Sequence, residues 1–309
     1  MMLLMRAQAL GIAAAALGLC ACGAKLDGAA GVDAPPNDTG SPGDDLPPPD
    51  SGLGPFGSPL KIDIAATTAA EDDGTLSSDG LELVWAVVDA TDGNRKKLFY
   101  AQRATTADVF ANAMPVPFTA TGVDDETPRF SADDKTLFFG SNRTGTVGGL
   151  DIFQVSHPSA GNNFGTPAHV DNVNGPGTDK WFMECGTNGR YLLSKNNDLA
   201  EGLIDDAGGP TTVAELSSAG GETGTFLFPD CKTILFASSR NGTNQIFIAT
   251  RANETDAWGM PKLITDDPAF AQMLPLGGNQ QDPWLSGDGK TFVMVSDIGG
   301  SNDEYILTR

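Results

Sequence analysis

Histidine is almost missing from this sequence. His157 and His169 are the only two in 309 residues, so neither a Cys/His zinc site nor a His-based nucleophilic triad can be assembled. Basic residues are also scarce: 19 Lys and Arg stand against 40 Asp and Glu, a formal charge of −21. Such a surface repels phosphate backbones, which excludes nucleic acid as a partner. No apolar run approaches the ~20 residues of a permanent membrane helix. Helical periodicity is nearly absent too. There is no Gly-x-Ser-x-Gly elbow, which excludes the usual α/β-hydrolase nucleophile. Gly287-Asp288-Gly289-Lys290-Thr291 ends like a phosphate loop, but Trp284 stands where the first glycine must be.

What the N-terminus does contain is a processing signal. Arg6 is followed by the Ala/Leu-rich run Leu10 to Leu19, with the length of a secretory h-region. Leu19-Cys20-Ala21-Cys22 resembles a bacterial lipobox. That resemblance implies a signal peptide over 1–21, cleavage before Cys22 and a lipid on its sulfur. Gly23 stands where a retention Asp would sit, which favours the outer membrane, facing the periplasm or the cell surface. Residues 22–54 carry PPNDTGSPGDDLPPPDSG and almost no large apolar side chain. This is an extended linker that cannot offset its own ordering entropy.

Residues 55–309 suit one large all-β domain. Short apolar runs alternate with Gly/Asn/Asp/Ser clusters, and a turn signature recurs at Asp79, Asp133, Asn188, Asp230 and Asp288. Asp or Asn at such a turn tolerates positive φ. A strand follows each turn (LELVWAVV, KTLFFGS, RYLLS, KTILFASS, KTFVMVS), apolar on both faces, as expected where neighbouring sheets cover both sides. Spacings of 54, 55, 42 and 58 residues fit one four-stranded blade per repeat. The architecture expected is therefore a β-propeller of five blades, with six as the alternative. The third strands fall at 97–102, 151–155, 203–205, 245–249 and 304–307.

Aromatic-Gly-x-Pro segments open the outer strands at Phe164-Gly165-Thr166-Pro167 and Trp258-Gly259-Met260-Pro261. The last repeat has none, but Phe56-Gly57-Ser58-Pro59 does. Residues 56–62 are thus expected to supply the outer strand of the final blade and close the ring, which removes exposed sheet edges.

The fullest copy contains Pro128-x-Phe130-Ser131-x-Asp133, Leu137-Phe138-Phe139, Ser141-Asn142-Arg143, Gly148-Gly149 and Asp151-Ile152-Phe153. This pattern resembles the WD-repeat-like propeller of the TolB type, common in bacterial envelope lipoproteins. The resemblance implies a lipid-anchored envelope protein that binds another envelope protein or a peptidoglycan-associated partner, as a monomer. TolB has six blades and an added α/β domain, so its partners do not transfer residue by residue.

Carboxylates precede the first strand of each repeat: Asp72 and Asp73, Glu126, Asp179, Glu222 and Asp282. If they converge on the channel mouth they form a cation or ligand site, with Ca²⁺, an amine or a sugar as the ligands. A carboxylate pair there would also suit a glycoside hydrolase. The plain alternative is a set of solvated loop acids. Arg143 and Asp151 are expected to pair across a hairpin. Trp181 and Trp284 are placed near the channel mouth. With Cys20 removed and Cys22 lipidated, Cys185 and Cys231 form an even pair in an exported chain, and a disulfide between them is expected over two free thiols. The reading as a whole is a non-enzymatic interaction or scaffold module, without a cofactor unless the acids hold Ca²⁺.

Overall fold

The structure is a computed structural model that describes residues 54–62, 64, 70–186, 188–270, 273 and 277–309. The signal peptide, Cys22 and all but the end of the linker lie outside the described residues, as does Thr187 of the third turn.

Among the described residues, twenty strands form five four-stranded antiparallel sheets. A short β1 (Leu60–Lys61) comes first. Blade one is β2 (Glu71–Leu76), β3 (Glu82–Asp89), β4 (Arg95–Gln102) and β5 (Ala111–Pro115). Blade two is β6 (Asp125–Phe130), β7 (Thr136–Ser141), β8 (Asp151–Ser156) and β9 (Ala168–His169). Blade three is β10 (Asp179–Cys185), β11 (Arg190–Lys195), β12 (Asp198–Leu203) and β13 (Thr211–Thr212). Blade four is β14 (Glu222–Leu227), β15 (Thr233–Ser238), β16 (Gln245–Thr250) and β17 (Lys262–Leu263). Blade five is β18 (Gln280–Leu285), β19 (Thr291–Ser296) and β20 (Asp303–Thr308), completed by β1. The fold is thus a five-bladed propeller, and the six-bladed alternative is set aside.

The ring closes through the N-terminal strand. Leu60 pairs with Ile306 and Lys61 with Tyr305. The Gly57 amide donates to the Thr308 carbonyl (2.8 Å), and the Ile62 amide to that of Glu304 (2.8 Å). The same aromatic-glycine contact recurs in blades two and four, where the Gly165 and Gly259 amides each donate 2.9 Å bonds to Ser156 and Thr250. A Cβ on Gly165 would meet the Ser156 hydroxyl, which would have to rotate away to admit a larger residue.

The residue after each third strand completes a clamp that the sequence did not announce. Arg103, Arg251 and Arg309 each donate from Nε to a carbonyl of their blade's first turn (Gly80, Cys231 and Gly289; 2.7 Å each). Their guanidinium groups lie over Phe110, Trp258 and Phe56, at 4.5, 4.1 and 4.3 Å from the ring centroids. In blade two His157 takes this position: it contacts the Asp134 carbonyl (2.8 Å) and stacks on Phe164. Blade three has Ile204 and no such ring, in keeping with its degenerate sequence.

Two expectations are corrected. The third strand of blade three is Asp198–Leu203, not 203–205. Asn196 and Asn197 both take positive φ (53° and 67°) and turn Lys195 back onto Asp198 in a two-residue hairpin. Arg143 pairs with Asp125 (2.6 Å) rather than Asp151. Asp151 is occupied by the Val147 amide (2.6 Å) and by His169 (2.9 Å), because the glycine loop folds over it instead of presenting it to Arg143.

Candidate functional site

The site is built from the five innermost strands, β2, β6, β10, β14 and β18. Each has its register broken near its start by a bulge: between Asp72 and Thr75, Glu126 and Arg129, Lys180 and Met183, Thr223 and Phe226, and Gln281 and Trp284. The third residue of each strand is left-handed: Asp73 (φ 61°), Thr127 (56°), Trp181 (49°), Gly224 (56°) and Asp282 (49°). For a β-branched threonine and a tryptophan this conformation is strained, and such strain concentrates at functional positions. Bulges re-aim side chains. Here they carry the second residue of each of these strands, and the third of β2, β10 and β18, to one mouth of the channel.

That mouth holds a cavity of about 220 Å³, lined by Asp72, Asp73, Glu126, Asp282, Lys96 and Lys180 together with Trp181 and several amide side chains. Carboxylate oxygens of Asp72, Asp73 and Asp282 lie within 4.8 Å of one another. Lys96 reaches in from β4 to two of them. Its Nζ is 2.7 Å from Asp72, 2.9 Å from Asp73 and 3.2 Å from Glu126. Lys180 adds a 3.1 Å contact to Glu126. Lys96 thus sets a cation against two of the three aspartates and against Glu126.

The charges are tuned against one another. Burial, then the neighbouring Asp73, push the Asp72 carboxyl up to about 6. Burial opposes ionisation of Asp73 as well, but Lys96 outweighs it and holds this carboxyl below its ordinary value. Asp282, buried beside Asp73 and Asp72, is raised well above the carboxylate range. Burial works against the Lys96 ammonium, and Asp73, Asp72 and Glu126 overcome it, so its pKa is raised.

Beneath the cavity the channel is plugged by Arg129, which is 1 % exposed. Its Nε donates to the Thr225 carbonyl of blade four (3.1 Å), and Nη1 to Gly74 of blade one (3.4 Å) and to Pro128 (2.8 Å). Nη2 lies 3.6 Å from Asp282 of blade five. Glu304, buried and raised well above its ordinary pKa first by burial and then by Asp282, accepts from the Gly74 amide (2.7 Å).

Four of the six acids expected at the mouth therefore come together: Asp72, Asp73, Glu126 and Asp282. Asp179 and Glu222 do not. They are the first residues of β10 and β14, one position before the cavity residues, and alternation along a strand turns them away. Asp179 accepts from the Gly175 amide (3.0 Å) and lies 3.7 Å from Lys195. Glu222 binds Ser218, Ser238 and Arg240. Trp181 lines the cavity as expected, whereas Trp284 belongs to the opposite mouth. Sequence reasoning missed Lys96, Lys180 and Arg129. The regular spacing of Glu126 and Lys180, each second in its inner strand, was the available signal.

The opposite mouth opens among the hairpin turns that follow the innermost strands. It is a larger cavity, about 740 Å³, with Leu76, Phe130, Met183, Phe226 and Trp284 on its walls. Turns of neighbouring blades are tied at its rim. Ser78 donates from its amide to Asp134 (2.9 Å). Cys185 and Cys231 form a disulfide, with Cα atoms 5.2 Å apart, joining the end of β10 to the turn of blade four.

No protein-family model matches this chain, and no curated protein matches it. Solved structures share its fold. An α-L-arabinofuranosidase from Podospora anserina, crystallised with cellotriose, is 12 % identical over 82 % of this chain and 96 % of its own, with a TM-score of 0.54. The GH62 α-L-arabinofuranosidase catalytic domain of Coprinopsis cinerea is 11 % identical over 82 % and 96 %, with a TM-score of 0.52. TolB from Acinetobacter baumannii is 14 % identical over 78 % of this chain and 55 % of its own, with a TM-score of 0.47. At these identities the likeness is one of fold.

As chemistry, the split between a low Asp73 and a high Asp282 has the form of an acid–base pair. Both are 1 % exposed, and Asp73 is engaged by Lys96. The pair presents no free base and acid to a glycosidic bond.

Proposed function

We propose that this protein is a non-enzymatic binding module of the bacterial cell envelope, tethered through a lipid on Cys22, whose propeller receives a partner protein at its turn-side mouth. The observation that carries this is the 740 Å³ cavity itself: all five blades line it, and Leu76, Phe130, Met183, Phe226 and Trp284 stand among charged side chains such as Asp79, Arg103, Asp134 and Lys290. Its size falls within the ~300–1,000 Å³ typical of ligand pockets, and it would accept the side chains of an extended peptide. Glu184 lies on its wall, its carboxyl raised by burial. The occupant that matches is a peptide segment with an apolar residue beside a basic one. The disulfide holds one sector of the rim in place before the partner arrives, which lowers the ordering cost of binding.

The test is photocrosslinking in intact cells, with the photoreactive residue placed at Glu184 and, as a control, at Met260, which is 85 % exposed on the outer side of blade four. A discrete adduct from position 184 and none from 260 supports the reading. Equal labelling from both positions, or none from 184, refutes it.

A further inference from the structure

The small cavity at the other mouth has a composition that specifies a ligand. Its three aspartates would draw a cation if they stood alone, but Lys96 already bridges two of them and Glu126. Lys180 and Arg129 add two further positive groups next to Glu126 and Asp282. Three cations thus stand against four carboxylates, and a divalent ion at Asp72 and Asp73 would have to displace an ammonium held by three carboxylates.

What the cavity does offer is unspent hydrogen-bonding capacity. Trp181 lines it, is 8 % exposed, and its Nε1 donor has no acceptor. Asp282 lines it too, but its Oδ1 lies 3.6 Å from the Arg129 guanidinium, so Trp181 carries the unmatched group. Buried polar atoms left unmatched in a cavity cost free energy until something fills the gap. Asn197, Asn244, Gln281 and Thr223 complete the wall with groups that both donate and accept. At about 220 Å³ the space is smaller than the ~300–1,000 Å³ of sites for larger ligands. A mixed donor and acceptor wall, one aromatic side chain, acids largely offset by their own cations and room for one ring describe the complement of a neutral polyhydroxy ligand.

We propose that the cavity between Trp181, Asp282 and Asn244 is a binding site for a single neutral sugar unit. Trp181 supplies an apolar face and an indole donor. Asn244 and Gln281, hydrogen-bonded to each other at 3.2 Å, present amide groups from neighbouring blades. The strained bulges at Thr127 and Trp181 hold this wall in place before the ligand enters.

The site is separate from the turn-side mouth, so it stands or falls without the partner-binding proposal. The intact mature chain is titrated singly with glucose, galactose, N-acetylglucosamine and arabinose, and separately with calcium chloride. Binding is read by tryptophan fluorescence and by saturation-transfer NMR. The expected result is saturable binding of at least one sugar, with no response to calcium. Asn244→Ala should weaken that binding about tenfold, the loss of roughly one good hydrogen bond in a buried site, without changing the melting temperature. Trp181→Phe, which keeps an aromatic ring and removes the donor, should weaken it similarly. The proposal is overturned if no sugar binds the folded protein, if calcium binds in place of sugar, or if Asn244→Ala leaves sugar affinity unchanged.

Discussion

The guanidinium of Arg309 lies over the ring of Phe56, 4.3 Å from its centroid. This joins the residue that opens the closing strand to the residue that follows β20. Phe56 is also packed against Phe270 and Phe292, at centroid distances of 6.3 and 6.1 Å. The fifth blade therefore depends on residues some 250 positions away in sequence. Phe56→Ala should destabilise the domain by about 3–5 kcal/mol, as for other buried phenylalanines. Deleting 55–62 should cost more, while deleting 24–53 should leave the urea midpoint unchanged. Equal midpoints for the two deletions would contradict closure by this strand.

The Cys185–Cys231 bond closes a loop across a separation of 46 residues. In the chain-entropy account, a loop of that length contributes about 4 kcal/mol. Replacing both cysteines by serine should lower the urea midpoint accordingly. Mass analysis under denaturing, non-reducing conditions should find no free thiol among the two.

Lys96 neutralises a cluster that would otherwise repel itself. Lys96→Gln should destabilise the protein by less than the ~3–5 kcal/mol of a fully buried charge pair, because the Lys96 and Asp72 side chains are each 23 % exposed. The same variant should acquire a calcium response that the parent lacks: its melting temperature rises with added calcium chloride. A parent protein that responds to calcium as strongly as the variant would show that Lys96 does not fill the cation position.

The pH dependence follows from opposite shifts. The Asp72 carboxyl is raised to about 6. Its contribution is therefore complete below its ordinary value of 3.8 and is lost as pH rises through about 6. Asp282 and Glu304 shift in the same direction and extend the loss to higher pH. Asp73 is lowered, so its contribution is lost as pH falls below its ordinary value of 3.8. Melting temperature should peak in the mildly acidic range, and Asp72→Asn should flatten the decline on the alkaline side. A melting temperature that climbs steadily toward neutral pH would contradict these assignments.

Much of the architecture was readable because it is local. The turns at Asp79, Asp133, Asp230 and Asp288 are set by two or three residues each, and the aromatic-glycine segment repeats in plain view. Closure by residues 56–62 followed from counting which repeat lacked that segment. The candidate site was only half readable. Asp72, Asp73 and Asp282 stood out as acids, but the bulges that re-aim them are backbone events with no residue signature common to Thr127, Trp181 and Gly224. Lys96 was invisible as their partner because it reaches them from β4, two strands out. Asp179 and Glu222 were misplaced for a related reason: one position along an inner strand decides between the channel and the space between blades.

The closing strand also sets how the domain bears load. Any pull transmitted through the residues before 54 enters the propeller at Phe56 and β1. The first element to meet that force is a two-residue pairing with β20, backed by the stack of Arg309 on Phe56. The other outer strands are continuous with their own blades and carry none of it directly. Tension arriving from that side would therefore peel β1 from β20 and open the ring at blade five.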